Sequence, residues 1–184
     1  MCLSNCFESF PYLNQFHVYI DVNNVVYFGC DKNKTPKLKN LIELLSQLIE
    51  VYGFKRERLH CICDPALRYH IDQRKEFEAL IRDGLIVIAP KVADEFILSF
   101  AQNHEFCFII SNDRFREYIP QLPGKQWIEE RRVSFMILED KVCLSPNIKY
   151  SHIDVLPLEE QESKTGDKCE FVQINIKKSK NKSK

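Results

Sequence analysis

Apolar positions along this chain follow two rhythms. Short continuous runs mark strands covered on both faces, and runs recurring every three to four residues mark helices. Residues 16–22, "FHVYIDV", predict a first strand that closes on Asp21. A polar loop, "GCDKNKTPK", follows. Leu38, Leu41, Ile42, Leu45, Leu48, Ile49 and Tyr52 then recur at helical spacing, with Thr35 as N-cap, Pro36 as the first helical residue and Gly53 as the stop. "RLHCICD" predicts a buried strand ending in Asp64, and "DQRKEFEALIRDG" a helix stopped by Gly84. "LIVIAP" predicts a short buried strand closed by Pro90. "VADEFILSFAQNH" predicts a helix with Ala93, Phe96, Ile97, Phe100 and Ala101 on one face. "EFCFIIS" predicts another strand leading into Ser111-Asn112-Asp113, with a short helix starting at Asp113. "RRVSFMIL" predicts a final strand, and "DKVCLSP" a partner beside it.

Strands alternating with helices imply right-handed crossovers and an α/β, three-layer architecture around a central, mostly parallel sheet. One domain is expected over residues 12–146. Residues 147–184 read as a polar linker, an edge strand at 170–176 ("EFVQINI") and a flexible Lys-rich tail, "KKSKNKSK". That tail reads equally well as a solubilising terminus or an RNA-attracting arm.

Composition narrows the chemistry. Lys+Arg and Asp+Glu number 26 each among 184 residues, so any basic surface must be local. None of the eight cysteines forms a CxxC pair, and Cys61-x-Cys63 has the wrong spacing for a zinc knuckle. Cys61, Cys63 and Cys107 sit in apolar runs and read as small core residues. The first residues lack a basic, then apolar, signal-peptide pattern, and no apolar run reaches the length of a membrane span. The expectation is a soluble, cytoplasmic protein with free thiols and no membrane association.

The carboxylates carry the chemical signal. Open α/β sheets bind ligands beyond the carboxyl ends of their strands. Asp21, Asp64 and Asp113 each follow a strand, and Asp94 starts the helix that returns from the same edge. Glu117 lies four residues after Asp113, which would place both on one helical face. A single such Asp is as readily a helix cap as a catalytic group. Several acids at one edge repel unless a cation neutralises them. Oxygen donors without His or Cys favour Mg²⁺ or Mn²⁺ over zinc, and an ion held this way suits phosphodiester hydrolysis. There is no GxxxxGK[ST], GxGxxG or GxSxG segment. His17, His60, His70, His104 and His152 are scattered and read as structural or exposed; His70 stands out only for its nearness to Asp64.

"YIDVNNV", "VADEFIL", "FIISNDRFREY" and "WIEERRVSFMILEDKVCLSP" follow one another in the order of the NYN branch of PIN-like ribonucleases. Over Phe16 to Pro146 the chain most resembles the Regnase type. The resemblance implies a metal-dependent endoribonuclease with a PIN-like fold. It matches Asp21 and Asn24 to the family's "IDGSN" segment, and Asp94 and Glu95 to its pair of adjacent acids. Asp113, with Asn112 beside it, matches "SND", and Glu117 matches a further acid. Val22 and Asn23 replace the family's Gly-Ser. Glu95 and Glu117 are one methylene longer than the usual Asp, and the zinc finger that accompanies vertebrate members has no counterpart. Asp64 lies outside the matched motifs and reads as a strand-end turn or, alternatively, as an auxiliary acid.

The expected mechanism has Asp21, Asp94 and Asp113 holding Mg²⁺, with Mn²⁺ as a substitute. Glu95 or Glu117 would orient or deprotonate the attacking water, or help a second ion, leaving a 5′-phosphate and a 3′-hydroxyl. Asn24 and Asn112 would hydrogen-bond the carboxylates or a phosphate oxygen. Arg114, Arg116, Lys125, Arg131 and Arg132 would meet the RNA backbone, although each alone reads as solvated surface. Phe115 reads as core, and Trp127 is open between core and base stacking. The expected partner is RNA, single-stranded or in a stem-loop; a homodimer stays open. Two rival readings remain: a catalytically weak or inactive PIN-like RNA-binding or interaction module, and a PIN-like toxin or DNA-directed nuclease.

Overall fold

The computed structural model describes residues 15–30, 35–139 and 141–145. Six strands form one sheet: β1 (His17–Asp21), β2 (Leu59–Cys63), β3 (Ile86–Ile88), β4 (Cys107–Ile110), β5 (Arg132–Leu138) and β6 (Lys141–Ser145). Their spatial order is β3-β2-β1-β4-β5-β6. Only the β5–β6 pair is antiparallel. The chain builds outward from β1 to β3, then returns to the other side of β1 and builds outward again. The order therefore reverses between β1 and β4, and a crevice opens beyond their carboxyl ends.

Five helices cover the two faces: α1 (Val22–Val26), α2 (Leu38–Glu50), α3 (Arg74–Arg82), α4 (Ala93–Gln102) and α5 (Lys125–Arg131). Side chains alternate across β1. Val18 and Ile20 enter the core beneath α1, α2 and α3, whereas Tyr19 enters the core beneath α4 and α5. Strands covered on both sides need no polar alternation, so Cys107–Ile110 is buried throughout. The expected three-layer α/β architecture is what the chain adopts.

Local expectations changed where tertiary contacts outcompete propensity. Helix α2 starts at Leu38, after Thr35 and Pro36. Its first N–H donates to Asp72 Oδ1 at 2.9 Å, so the cap comes from the segment before α3. Lys37 N–H is meanwhile tied to the Val26 carbonyl at 2.8 Å. Gly53 does end the helix, at φ 73°, and Phe54 N–H returns to the Leu48 carbonyl. Strand β3 is an edge strand, and Val87 is exposed rather than buried. The buried stripe of α4 is Ala93, Ile97, Leu98 and Ala101; Phe100 faces outward.

Three of the histidines read as scattered come together. His17, His60 and His104 gather at the amino-terminal end of the sheet. The His17 and His104 rings stack with centroids 3.8 Å apart. Arg58 donates to His17 Nε2 at 2.5 Å, and a guanidinium can only donate. His17 must therefore be neutral with its proton on Nδ1, which donates to His60 Nε2 at 2.8 Å. The Tyr19 hydroxyl meets His104 Nδ1 at 2.6 Å. Burial, with the neighbouring His104, His60 and Arg58, pushes His17 down to about 4. His60 is lowered too, again chiefly by burial. His70 is exposed at the end of a short turn. Residues 147–184, including the expected edge strand at 170–176, the Lys-rich tail and His152, lie outside the described residues. Among the described residues no helix is long and apolar enough to cross a membrane.

Candidate active site

Asp21 is the last residue of β1 and the N-cap of α1. Ending an apolar strand in a capping acid turns the chain at once and buries the carboxylate, which is 4% exposed. Its Oδ1 accepts from Asn24 N–H at 3.0 Å, and its Oδ2 accepts from Ser111 Oγ at 2.8 Å across the switch point. Burial still dominates. The carboxyl is pushed up to about 6, with Asp64 and Asp113 adding to the rise against those two hydrogen bonds.

Asp21 opens into a cavity of about 290 Å³ lined also by Asn23, Asn24, Tyr27, Asp64, Val92, Ala93, Asp94 and Asp113. Asp94 stands in the first turn of α4, and its carboxyl is pushed up to about 7. Burial is the largest cause, followed by Asp21, Asp113, Asp64 and Glu117. Asp113 is anchored by a local turn: its N–H donates to Ser111 Oγ at 3.1 Å, and its Oδ1 accepts from Phe115 N–H at 3.0 Å.

Asn23 and Asp64 form a reciprocal clamp. Asn23 Nδ2 donates to Asp64 Oδ2 at 3.0 Å, and Asp64 N–H donates to Asn23 Oδ1 at 2.9 Å. Asp64 Oδ1 accepts from Ala93 N–H at 2.7 Å and so caps α4, the helix that carries Asp94. Asp64 is thus more than a strand-end turn: it stands in the acid cavity and ties β2 to both α1 and α4. Asn24 Oδ1 accepts from Asn112 N–H at 2.9 Å, linking the ends of β1 and β4.

Residues 14–152 match the family model described as Zc3h12a-like Ribonuclease NYN domain. The chain belongs to this family. No curated protein matches the sequence. Among solved structures, the NYN domain is similar to the crystal structure of nuclear proteinaceous RNase P 2 (PRORP2) from A. thaliana. That likeness has a TM-score of 0.55 and 17% identity, over 73% of this chain and 31% of that one. A second structure, Arabidopsis thaliana nuclear protein-only RNase P 2, aligns at TM-score 0.55 and 16% identity, over 70% and 29% of the two chains. The chain spans about a third of the length of these proteins, and at such identity the likeness establishes the fold.

Several predicted residues of the NYN domain sit elsewhere than expected. No α-helix starts at Asp113. Phe115 is fully buried in the left-handed conformation, φ 49°, and a 3₁₀ turn runs from Arg116 to Gln121. Glu117 therefore does not share a helical face with Asp113, yet the turn brings it close enough to raise Asp94. Glu95 points away from Asp94, as consecutive helical residues must. It lines a neighbouring cavity of about 270 Å³ with Leu98, Ser99, Gln102, Tyr118, Gln121 and Leu122. The Asn112 side chain turns from the acids and clamps β5: its Nδ2 donates to the Phe135 carbonyl and its Oδ1 accepts from Phe135 N–H, both at 3.0 Å.

The cations divide as well. Arg114, Arg116, Lys125 and Arg132 share a groove of about 250 Å³ with Ile119, Ile128 and Glu129. Arg132 Nη1 donates to the Ser111 carbonyl at 3.3 Å and to Ser134 Oγ, which fixes the groove to the β4 end. Lys125 pairs with Glu129 at 3.2 Å. Arg131 lies outside this groove. It stacks on the half-buried Trp127 with its guanidinium 4.8 Å from the ring centroid, and donates to the Trp127 and Glu105 carbonyls. Its buried Nε meets no hydrogen-bond partner among the described residues. Arg131 and Trp127 are thus engaged with each other over the second core.

Among the described residues, no three His, Cys, Asp or Glu side chains meet closely enough to share one ion. The same acids raise one another's carboxyls. Both observations describe one spacing: near enough to repel, too far apart for three to converge directly. Magnesium needs only one or two protein carboxylates and keeps its waters. An all-oxygen wall with two carboxyls, Asp21 and Asp94, held above their usual range fits that requirement. Ser111 and Asn23 were missed as parts of the site, and Asp64, read as an auxiliary acid or a strand-end turn, lines the acid cavity. Only the "S" of "SND" gave a sequence signal; the Asn23–Asp64 clamp joins positions 41 residues apart.

Proposed function

We propose that this NYN domain is an endoribonuclease that hydrolyses RNA phosphodiester bonds at the acid cavity. The observation that carries the reading is the meeting of four carboxylates on one cavity beyond the switch point, beside an Arg-lined groove anchored at the same strand end. Asp21 and Asp94 would hold Mg²⁺ or Mn²⁺, with Asp113 joining through water. Such an ion supplies a nucleophile at neutral pH and offsets charge on the leaving oxygen.

The protein's own groups do the rest. Ser111 and Asn24 orient the Asp21 carboxylate. The Asn23–Asp64 clamp sets the start of α4 and hence Asp94. Glu117, exposed beside Asp94, takes the proton from the attacking water, and Glu95 orients groups on the far side of α4. Arg114, Arg116, Lys125 and Arg132 neutralise backbone phosphates, which selects a polyanion without selecting a sequence. Attack at phosphorus leaves a 5′-phosphate and a 3′-hydroxyl.

The test is cleavage by the purified full chain of single-stranded RNA, a stem-loop RNA, tRNA and single-stranded DNA, with Mg²⁺, Mn²⁺ or EDTA. Metal-dependent internal cuts in RNA, lost in Asp113→Asn, are the expected result. RNA binding without cleavage in either metal would assign a non-catalytic RNA-binding module. Equal cutting of DNA would assign a less selective nuclease.

A further inference from the structure

We infer that the cavity beside the acid site is a nucleobase pocket, which takes one unpaired base of the RNA next to the cleaved bond and gives the enzyme its sequence preference. This rests on the ribonuclease reading above. The cavity shares two backbone segments with the acid site. On α4, Asp94 faces the acids and Glu95 faces this cavity. On the turn after Phe115, Glu117 acts on Asp94, and Tyr118 lines this cavity. The Tyr118 hydroxyl is raised chiefly by burial, and then by Asp94, Glu95, Glu117 and Asp113. The two cavities therefore share one electrostatic neighbourhood, and a nucleotide with its phosphate at the acids has its base within reach of the second.

The lining suits a base and repels a phosphate. Leu98 and Leu122 supply apolar surface, and Tyr118 supplies an aromatic face. Ser99, Gln102 and Gln121 supply exposed hydroxyl and amide groups, and Glu95 a carboxylate. Among the described residues no Lys, Arg or His lines it, in contrast to the groove of Arg114, Arg116, Lys125 and Arg132. Stacking on an aromatic ring with hydrogen bonds to the base edge is how unpaired RNA bases are read. A carboxylate only accepts, so it favours a base edge that donates. Guanine, adenine and cytosine carry an exocyclic amine with two N–H groups, whereas uracil donates only through one ring N–H flanked by carbonyls that repel a carboxylate; the pocket therefore favours an amine-bearing base over uracil.

One short segment serves all three surfaces. Asp113 faces the acids, Arg114, Arg116 and Ile119 face the phosphate groove, and Tyr118, Gln121 and Leu122 face the base pocket. Phe115, buried at φ 49°, is the pivot that turns successive side chains to different sides.

The experiment scans a single abasic site, and separately a single uridine, through a short single-stranded RNA. It compares the full-length parent with Gln121→Leu, Gln102→Leu, Tyr118→Ala and Tyr118→Phe, whose folding is checked by thermal melting. One position should show an abasic penalty in the parent of roughly 5- to 100-fold in KM. Tyr118→Ala should lose that penalty, and Tyr118→Phe should keep most of it. Gln121→Leu and Gln102→Leu should shrink the abasic penalty there while kcat holds, and should leave in place the discrimination against uridine, which the Glu95 carboxylate sets. Should every variant retain the parent's abasic and uridine profiles, the pocket assignment is wrong although the ribonuclease stands. A parent that neither binds nor cuts any RNA overturns both readings. Gln121 and Gln102 are exposed, so their variants keep the test decisive if Tyr118→Ala melts early.

Discussion

The two ends of the sheet gather like ionisable groups and use them in opposite ways. At the amino-terminal end, three imidazoles close on one another: Arg58 donates to His17, His17 donates to His60, and His104 meets Tyr19. The first two contacts fix neutral rings at His17 and His60, and the hydrogen bonding points inward. At the carboxyl end, Asp21, Asp64 and Asp113 are held by backbone and neutral donors, yet together with Asp94 they open onto a cavity. A cluster whose members satisfy each other is structure. A cluster held from behind and left facing solvent is poised for a ligand.

The pH signatures of the two ends are opposed. Asp94 at about 7 and Asp21 at about 6 lie above the unfolded value of 3.8. The folded chain holds those protons more tightly, so this end becomes more stabilising as pH falls from 7 towards 4. His17, at about 4, lies below its unfolded value of 6.5. Its contribution is complete above pH 6.5 and declines as pH falls towards 4.

The largest effect should come from Asp21→Asn, which lowers RNA cleavage roughly 10²- to 10⁴-fold, whereas His17→Gln leaves the neutral-pH rate unchanged. Comparable losses in both variants would erase the distinction between the ends. Next comes Asn23→Ala, which leaves Asp64 without its partner and should cost about 1–3 kcal/mol in urea unfolding. A neutral result there would mean that α4 does not depend on the clamp. Smaller still, Asp94→Asn should stabilise the metal-free protein at pH 7.5 while removing activity. After screening of a half-exposed carboxylate, the gain is about 1 kcal/mol, or about 2–4 °C in Tm. Mg²⁺ should raise the Tm of the parent and narrow that gap, which calorimetry with and without EDTA can read. The smallest effect is in slope: His17→Gln should leave stability rising as pH drops from 7 to 4, and Asp94→Asn should leave it falling between 6.5 and 4. Parallel curves for the two variants would refute the opposed signatures.

These features were unequally legible in the sequence. Asp21 and Asp113 could be read because a carboxylate ending an apolar run is a local signal. The sheet could be read because both-face burial leaves continuous apolar strands. Thr35 and Pro36 made a sound local cap, but Asp72 supplied it from across a loop, and no local pattern carries that information. The histidine cluster pairs residues 43 and 85 positions apart, so its members looked isolated. Glu117 reached the acid edge through a left-handed Phe115, a conformation that propensity assigns to glycine. Arg131 shared its composition with the groove cations and was separated from them only by stacking on Trp127.

The pivot at Phe115 carries an evolutionary consequence. Residues 113–122 form a shared reading frame for three surfaces, and the frame is set by a side chain fixed in the core. Inserting or deleting one residue after Phe115 would rotate phosphate contacts and base contacts together, and shift Glu117 with them. Substitutions within the frame can retune one surface at a time. Diversification of substrate preference in chains built this way should therefore proceed by point replacement within a segment of constant length, with length variation displaced to loops that do not touch the pivot.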